Sequence, residues 1–236
     1  MNKAGRAAFS VSRWVLVFAL SCTVGAPLPI DVALSEPRPT LEYTYQPSQT
    51  LVADLRQGGY VLYLRHTATD RRQRDRDLSD LQACQNQRNL NDQGRQEAMQ
   101  LRQVFAALKI PVGRVLASPY CRTRETAELA FGRPDLTEDL LFIRHPNAGA
   151  VKARQLFALP RTRPAAGTNT VLVGHGANLD LALEIQIAEG EMAIFYPQET
   201  GQLALVGLVK MTDWNQRQYS RFKLPCSAIY NDELRF

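Results

Sequence analysis

Thr170-Val-Leu-Val-Gly174-His175-Gly176-Ala177-Asn178 runs from a β-branched apolar stretch, through a histidine between two glycines, into a segment of helical spacing. An apolar run of this length predicts a strand buried on both faces, as in parallel sheets. In such sheets ligands collect where the carboxyl end of a strand turns into a helix. Two earlier stretches repeat the pattern. Tyr60-Val-Leu-Tyr-Leu64 leads into Arg65-His66-Thr67-Ala68-Thr69-Asp70, and Arg114–Ala117 leads into Ser118-Pro-Tyr-Cys-Arg122-Thr-Arg-Glu-Thr126-Ala127.

Working outward, helices are predicted over Leu51–Gln57, from Asn91 or Asp92 to Leu108, and over Cys121–Phe131, Ala150–Leu159 and Asn178–Ala188. The second carries Ala98, Leu101, Phe105 and Leu108 as one apolar stripe and stops before Pro111. A third strand is expected at Asp139–Phe142, and a closing pair at Met192–Phe195 and Leu203–Val209. Pro37–Pro47 reads as an approach segment, and Pro160–Asn169 as the most mobile loop. Strands alternating with helices predict a three-layer α/β/α sandwich with a mostly parallel central sheet. A single domain over residues 36–236 accounts for all of these elements.

Composition narrows the classes. With 236 residues, 45% hydrophobic and 22% charged, the chain supports one proper core and is neither fibrous, disordered nor polytopic. A net charge of +5 with no long basic block favours anionic partners and argues nothing specific about nucleic acid. Residues 1–35 look like an address. Lys3, Arg6 and Arg13 precede the apolar Trp14–Leu20, and small residues and two prolines follow. That pattern predicts a secretory signal, cleaved after Ala26 or near Ser35, and a periplasmic or secreted protein without stable membrane insertion. The alternative is an uncleaved anchor. Beyond this segment three cysteines remain, Cys84, Cys121 and Cys226. An oxidising compartment allows one pair, and Cys84 with Cys121 is the favoured one.

Three strand ends thus present Arg65-His66, Arg122 and His175 to one rim. Arginine keeps its charge and donates paired hydrogen bonds to phosphoryl oxygens. Helix starts at Cys121 and Gly176 would add backbone donors. Positive surroundings hold an imidazole neutral, the form that attacks phosphorus. The chemistry implied is transfer of a phosphoryl group to histidine and then to water.

Arg65-His66, Ser118-x-x-x-Arg122-x-x-x-Thr126-Ala127, Gly174-His175 and the helix opening Leu90-Asn-Asp-Gln-Gly94-Arg-Gln-Glu-Ala98 occur in order. Together they resemble the histidine phosphatase superfamily, the phosphoglycerate-mutase-like fold, over roughly residues 58–210. The resemblance implies His66 as nucleophile, a phosphate pocket of Arg65, Arg122 and His175, and catalysis without metal or other cofactor. Two features depart from the pattern. Thr67 stands where the family usually has glycine, and its hydroxyl is a candidate to face phosphate. The general acid is open: Glu138, in Leu136-Thr137-Glu138, comes first, with Asp139 and Asp70 as alternatives. His145, in Arg144-His-Pro146, falls outside the family order and reads as a surface loop residue. The Asp70–Asp77 run, with four arginines, reads as a solvated loop or as a grip on a second anionic group. The expected activity is hydrolysis of a small phosphomonoester such as a sugar phosphate. A phosphohistidine-protein phosphatase and a non-catalytic phosphate-binding module are the alternatives.

Overall fold

A computed structural model describes residues 43–45, 50–142 and 158–214. The strands are β1 (Tyr43–Tyr45), β2 (Val61–Arg65), β3 (Val112–Ala117), β4 (Asp135–Leu136), β5 (Asn169–Gly174), β6 (Met192–Pro197) and β7 (Leu203–Val209). The helices are α1 (Leu51–Gln57), α2 (Asp92–Ala107), α3 (Cys121–Phe131) and α4 (Gly176–Leu183). One sheet holds the strands in the order β1-β7-β6-β2-β5-β3-β4. The pairs β1/β7, β2/β5, β5/β3 and β3/β4 are parallel, and β6 pairs antiparallel with both β2 and β7.

Alternate side chains of each strand point to opposite faces, and both faces are covered. Leu62, Leu64, Val171, Val173 and Ile194 pack with Ala98, Leu101, Phe105, Ala127 and Trp214 on the side of α1, α2 and α3. Val61, Tyr63, Leu172, Ala193 and Phe195 pack with Leu179 and Leu183 of α4 on the other. The expected three-layer α/β/α sandwich with a mostly parallel sheet is therefore present. Among the described residues no helix is long and apolar enough to cross a membrane.

Register sets the working edge of the sheet. Arg65 stands opposite Gly174, and Ala117 opposite Val173, so β2, β5 and β3 end side by side. Asn91 caps α2, its side chain accepting from the Gly94 amide at 2.8 Å, while its own amide donates to the Ala68 carbonyl at 3.1 Å. Gly94 is required by close approach: a Cβ there would lie 2.0 Å from the Ala68 carbonyl oxygen. The helix opening is thus pressed against the loop that follows His66.

Some expectations change. β1 lies inside the segment read as an approach, because β7 offers it a parallel edge. Asp139–Phe142 is not a strand. Thr137 accepts from the Asp139 amide at 3.2 Å and turns Glu138–Leu140 into a single 3₁₀ turn after the two-residue β4. α4 ends at Leu183, not Ala188, because Glu184 takes a left-handed conformation with φ 57°. Beyond it Ile185 and Ile187 are buried while Gln186 is exposed, an alternation typical of extended chain. Most of the Ala150–Leu159 helix, His145, Cys226 and the proposed signal lie outside the described residues.

Candidate active site

A cavity of about 650 Å³ opens at the carboxyl ends of β2, β3 and β5. Arg65, His66, Arg122 and His175 all line it, as do Arg88, Arg74, Asp75 and Asp180. The two imidazoles lie 5.8 Å apart between ring centroids, both 2% exposed. With the histidines neutral, four arginines face two aspartates. The lining therefore carries an excess of two positive charges, matching one phosphate monoester dianion.

His66 is held in one tautomer. Its Nδ1 lies 3.0 Å from the Thr67 carbonyl. A carbonyl only accepts, so Nδ1 carries the proton and Nε2 keeps its lone pair. Burial first, then the positive charge of Arg122, pushes the His66 pKa well below the usual histidine value. His175 is displaced in the same direction by burial and then by Arg122. Its Nε2 lies 3.0 Å from the buried Ser118 hydroxyl. When that hydroxyl donates, His175 Nδ1 is the protonated nitrogen and a hydrogen-bond donor.

The backbone of His175 is clamped as well. The fully buried Tyr63 hydroxyl donates to the His175 carbonyl at 3.0 Å and accepts from its amide at 3.1 Å. Gly174 makes room for this clamp, since a Cβ there would sit 2.3 Å from that hydroxyl oxygen. Tyr120 and Phe142 pack around the ring, with centroids 4.9 and 5.2 Å away. Gly176 and Ala177 open the first turn of α4 onto the cavity; first-turn amides have no partner within their own helix.

Arg122 is 2% exposed, with its guanidinium carbon 4.5 Å from the Tyr120 ring centroid. Its Nη1 donates to Asp75 Oδ1 at 3.0 Å and to the Arg88 carbonyl at 3.3 Å. Burial lowers its pKa and Asp75 opposes the shift; a guanidinium remains a cation in either case. The Nε atoms of Arg65, Arg88 and Arg122 are all buried and have no hydrogen-bond partner. Buried donors in a protein normally find one, so three orphaned guanidinium donors around one cavity describe a seat for an anion.

The remaining candidates fall elsewhere. Glu138 lines a separate cavity with Leu78, Asp80, Leu81 and Gln82, and Asp70 lines a third with Arg72 and Arg95. Asp139 lines neither these nor the His66 cavity. The carboxylates that do reach the His66 cavity are Asp75 and Asp180. Thr67 faces Thr126: its amide and hydroxyl each lie 3.2 Å from the Thr126 hydroxyl. It needs no glycine-like backbone, because Lys109 and Glu184 are the non-glycine residues with positive φ among those described. The Cys121 amide donates to the Gln87 side chain at 3.0 Å, so the start of α3 is capped from within the chain.

Sequence reading did not single out Arg88, Asp75 or Glu189 for the site. Arg88 stands two residues before Leu90 of the helix-opening motif, which was the available signal. Asp75 was masked by the four arginines of its run. Part of that run does reach the cavity, through Gln73, Arg74 and Asp75. The expected disulfide is present: Cys84 and Cys121 are bonded, with Cα atoms 5.7 Å apart, and tie this loop to the helix of Arg122.

Among curated proteins, none matches the chain in sequence. Several solved structures are similar to part of it. The protein histidine phosphatase SixA complexed with tungstate is 16% identical, with a TM-score of 0.45, covering 65% of this chain and 98% of that one. A phosphoserine phosphatase variant from Entamoeba histolytica in complex with phosphoserine is 14% identical, with a TM-score of 0.46 and 64% and 97% coverage. TTHB049 from Thermus thermophilus is 18% identical, with a TM-score of 0.44 and 64% and 99% coverage. The model of the histidine phosphatase superfamily (branch 1) matches residues 61–141, about a third of the chain, from β2 through Arg88 and Arg122. The chain is similar to that superfamily over this segment, and β5 brings His175, which lies outside it, against the same strand ends.

Proposed function

We propose that this protein hydrolyses small phosphomonoesters through a phosphohistidine on His66. The observation that carries the reading is a neutral, tautomer-fixed imidazole beside three guanidiniums whose Nε donors are unfilled. In the first step His66 Nε2 attacks phosphorus as the ester oxygen departs. In the second, water takes the phosphoryl group and His66 returns to its neutral form. Arg65, Arg88 and Arg122 hold the equatorial oxygens, and His175 Nδ1 donates as negative charge shifts in the transition state. Being already neutral, His66 loses no proton before attack.

The cavity exceeds the size of a phosphoryl group and falls within the range of small-ligand sites. The match of its charge to a single dianion supports a monoester with an uncharged alcohol part, such as a sugar phosphate. Proton donation by Glu138 has no support, since that residue lines another cavity. A departing sugar oxygen needs a proton, and Asp180 or Asp75, the carboxyl groups that line the His66 cavity, would deliver it. The same proposal places the protein in an oxidising compartment, periplasmic or secreted. The Cys84–Cys121 bond supports this, because such bonds are rare in a reducing cytosol.

The test is hydrolysis of p-nitrophenyl phosphate in the presence of EDTA, beside a His66→Ala variant and a panel of sugar phosphates. Turnover that survives EDTA and disappears in the variant is expected. Binding of inorganic phosphate with no turnover across the panel would instead identify a non-catalytic phosphate-binding module.

A further inference from the structure

The five residues Ile187–Glu191 follow α4 and touch almost every part of the nucleophile loop. The Ile187 carbonyl accepts from Arg65 Nη1 at 2.9 Å. The Gly190 amide donates to the carbonyls of Arg65 and His66, at 3.2 and 3.0 Å, and the Glu191 carbonyl accepts from the Arg65 amide at 3.1 Å. Glu191 folds its carboxylate back onto the Ala188 amide at 2.8 Å, which closes the turn.

Glu189 is the member whose side chain reaches into this loop. Its Oε1 accepts from the Thr69 hydroxyl at 2.8 Å, and its Oε2 from the Thr69 amide at 3.2 Å. The same Oε1 lies 3.6 Å from Arg65 Nη2 and 4.0 Å from Arg88 Nη2. Its side chain is 15% exposed and does not line the His66 cavity. One carboxylate therefore stands behind two guanidiniums that come from different parts of the chain and repel each other.

We propose that Glu189 is a positioning residue that sets the spacing of Arg65 and Arg88 for a phosphoryl group and anchors the chain after His66 through Thr69. The proposal rests on the reading that these arginines hold phosphate. It adds the group that holds the arginines. Two like charges brought together on an empty pocket separate unless an opposite charge lies between them. Arginine is useful to a phosphoryl group only when its planar fork is already aimed. Glu189 supplies both constraints from outside the pocket, without competing for the phosphate.

The experiment measures inorganic phosphate binding by titration calorimetry, and ester hydrolysis separately, for the parent, Glu189→Gln, Glu189→Asp, Arg88→Gln and the Glu189→Gln/Arg88→Gln double variant. Glu189→Gln is expected to weaken phosphate binding about tenfold, and Glu189→Asp, which keeps the charge, to recover part of the loss. Because part of the effect of Glu189 runs through Arg88, the double variant should bind more tightly than the product of the two single losses predicts. Thermal melts of each variant separate this coupling from general unfolding, which no pairwise pattern and no aspartate rescue would accompany. Glu189→Gln binding phosphate within twofold of the parent, or losses that multiply in full, would overturn the proposal. A parent that binds phosphate but hydrolyses no ester would refute the enzymatic reading alone and leave the positioning role to be decided by the phosphate data. A parent that binds no phosphate would overturn both.

Discussion

Removing the Cys84–Cys121 bond, by paired Cys84→Ser and Cys121→Ser substitutions, perturbs the site from outside the pocket. The bond closes a 37-residue span. It contains Arg88, and Cys84 anchors the end of the preceding loop, which brings Gln73, Arg74 and Asp75 to the same cavity. The chain-entropy relation for a closed loop of this length gives about 4 kcal/mol at 25 °C. Other ties persist in the variant. Gln87 bridges the Leu81 carbonyl and the Cys121 amide, Asp75 holds Arg122, and Arg124 donates to Gln82. The loop should therefore remain seated at equilibrium while global stability falls. Urea titrations of parent and double variant should show the midpoint dropping at unchanged slope, by an amount equivalent to about 4 kcal/mol. Reductant should bring the parent to the variant's midpoint and leave the variant unmoved. A difference below about 1 kcal/mol, a quarter of the loop-closure value, or a parent indifferent to reductant, would refute the reasoning.

The depressed histidine pKa values predict a pH dependence with a definite sign. Between the low folded pKa values and the unfolded value of about 6.5, the unfolded chain binds more protons, so this stabilisation is complete above about pH 6.5 and declines as pH falls below it. With both residues contributing, the slope approaches about 2.7 kcal/mol per pH unit; urea midpoints from pH 8 to 5 should flatten in a His66→Ala/His175→Ala variant, and a parent profile as flat as the variant's would contradict the burial argument. Tyr63→Phe removes the partner of the His175 amide, while the His175 carbonyl keeps the Asn178 amide as a donor at 3.1 Å. Leaving that amide unpaired in the core should cost about 1–3 kcal/mol and lower kcat, whereas unchanged melting and turnover would show that the clamp is dispensable. Arg122→Ala should lower kcat/KM by about 10²–10³, as for loss of one transition-state donor, and a tenfold or smaller loss would count against its place in the pocket.

The parts of this molecule that were legible in its sequence are those written locally. β2 and β5 are apolar runs whose burial needs no knowledge of their neighbours; β2 ends in Arg65, β5 leads directly into His175, and β3, buried only at its last two residues, leads into the helix that carries Arg122. Asn91 and Gly94 announce α2 by their types, a cap and a residue that admits close approach. What escaped was set by partners distant in sequence. Glu184 ends α4 early although nothing in Asn178–Ala188 forbids a longer helix; the buried Ile185 and Ile187 decide in favour of extended chain. Glu138 fits a short local pattern, yet its turn faces the cavity bordered by Leu78–Gln82. Arg88, Asp75 and Glu189 become significant only because a long loop and the turn after α4 fold back over the ends of β2 and β5. Charged residues in such segments read as solvated by default, and three-dimensional placement alone distinguishes these from their neighbours.

The most direct measurement is the covalent state of the enzyme during turnover. Parent protein mixed rapidly with a ³²P-labelled ester and quenched in alkali should retain label that is stable to base, labile to acid and confined by peptide mapping to His66. His66→Ala should retain none. Label on another residue, label persisting in His66→Ala, or turnover by the parent with no trapped phosphoenzyme at any quench time would contradict the account.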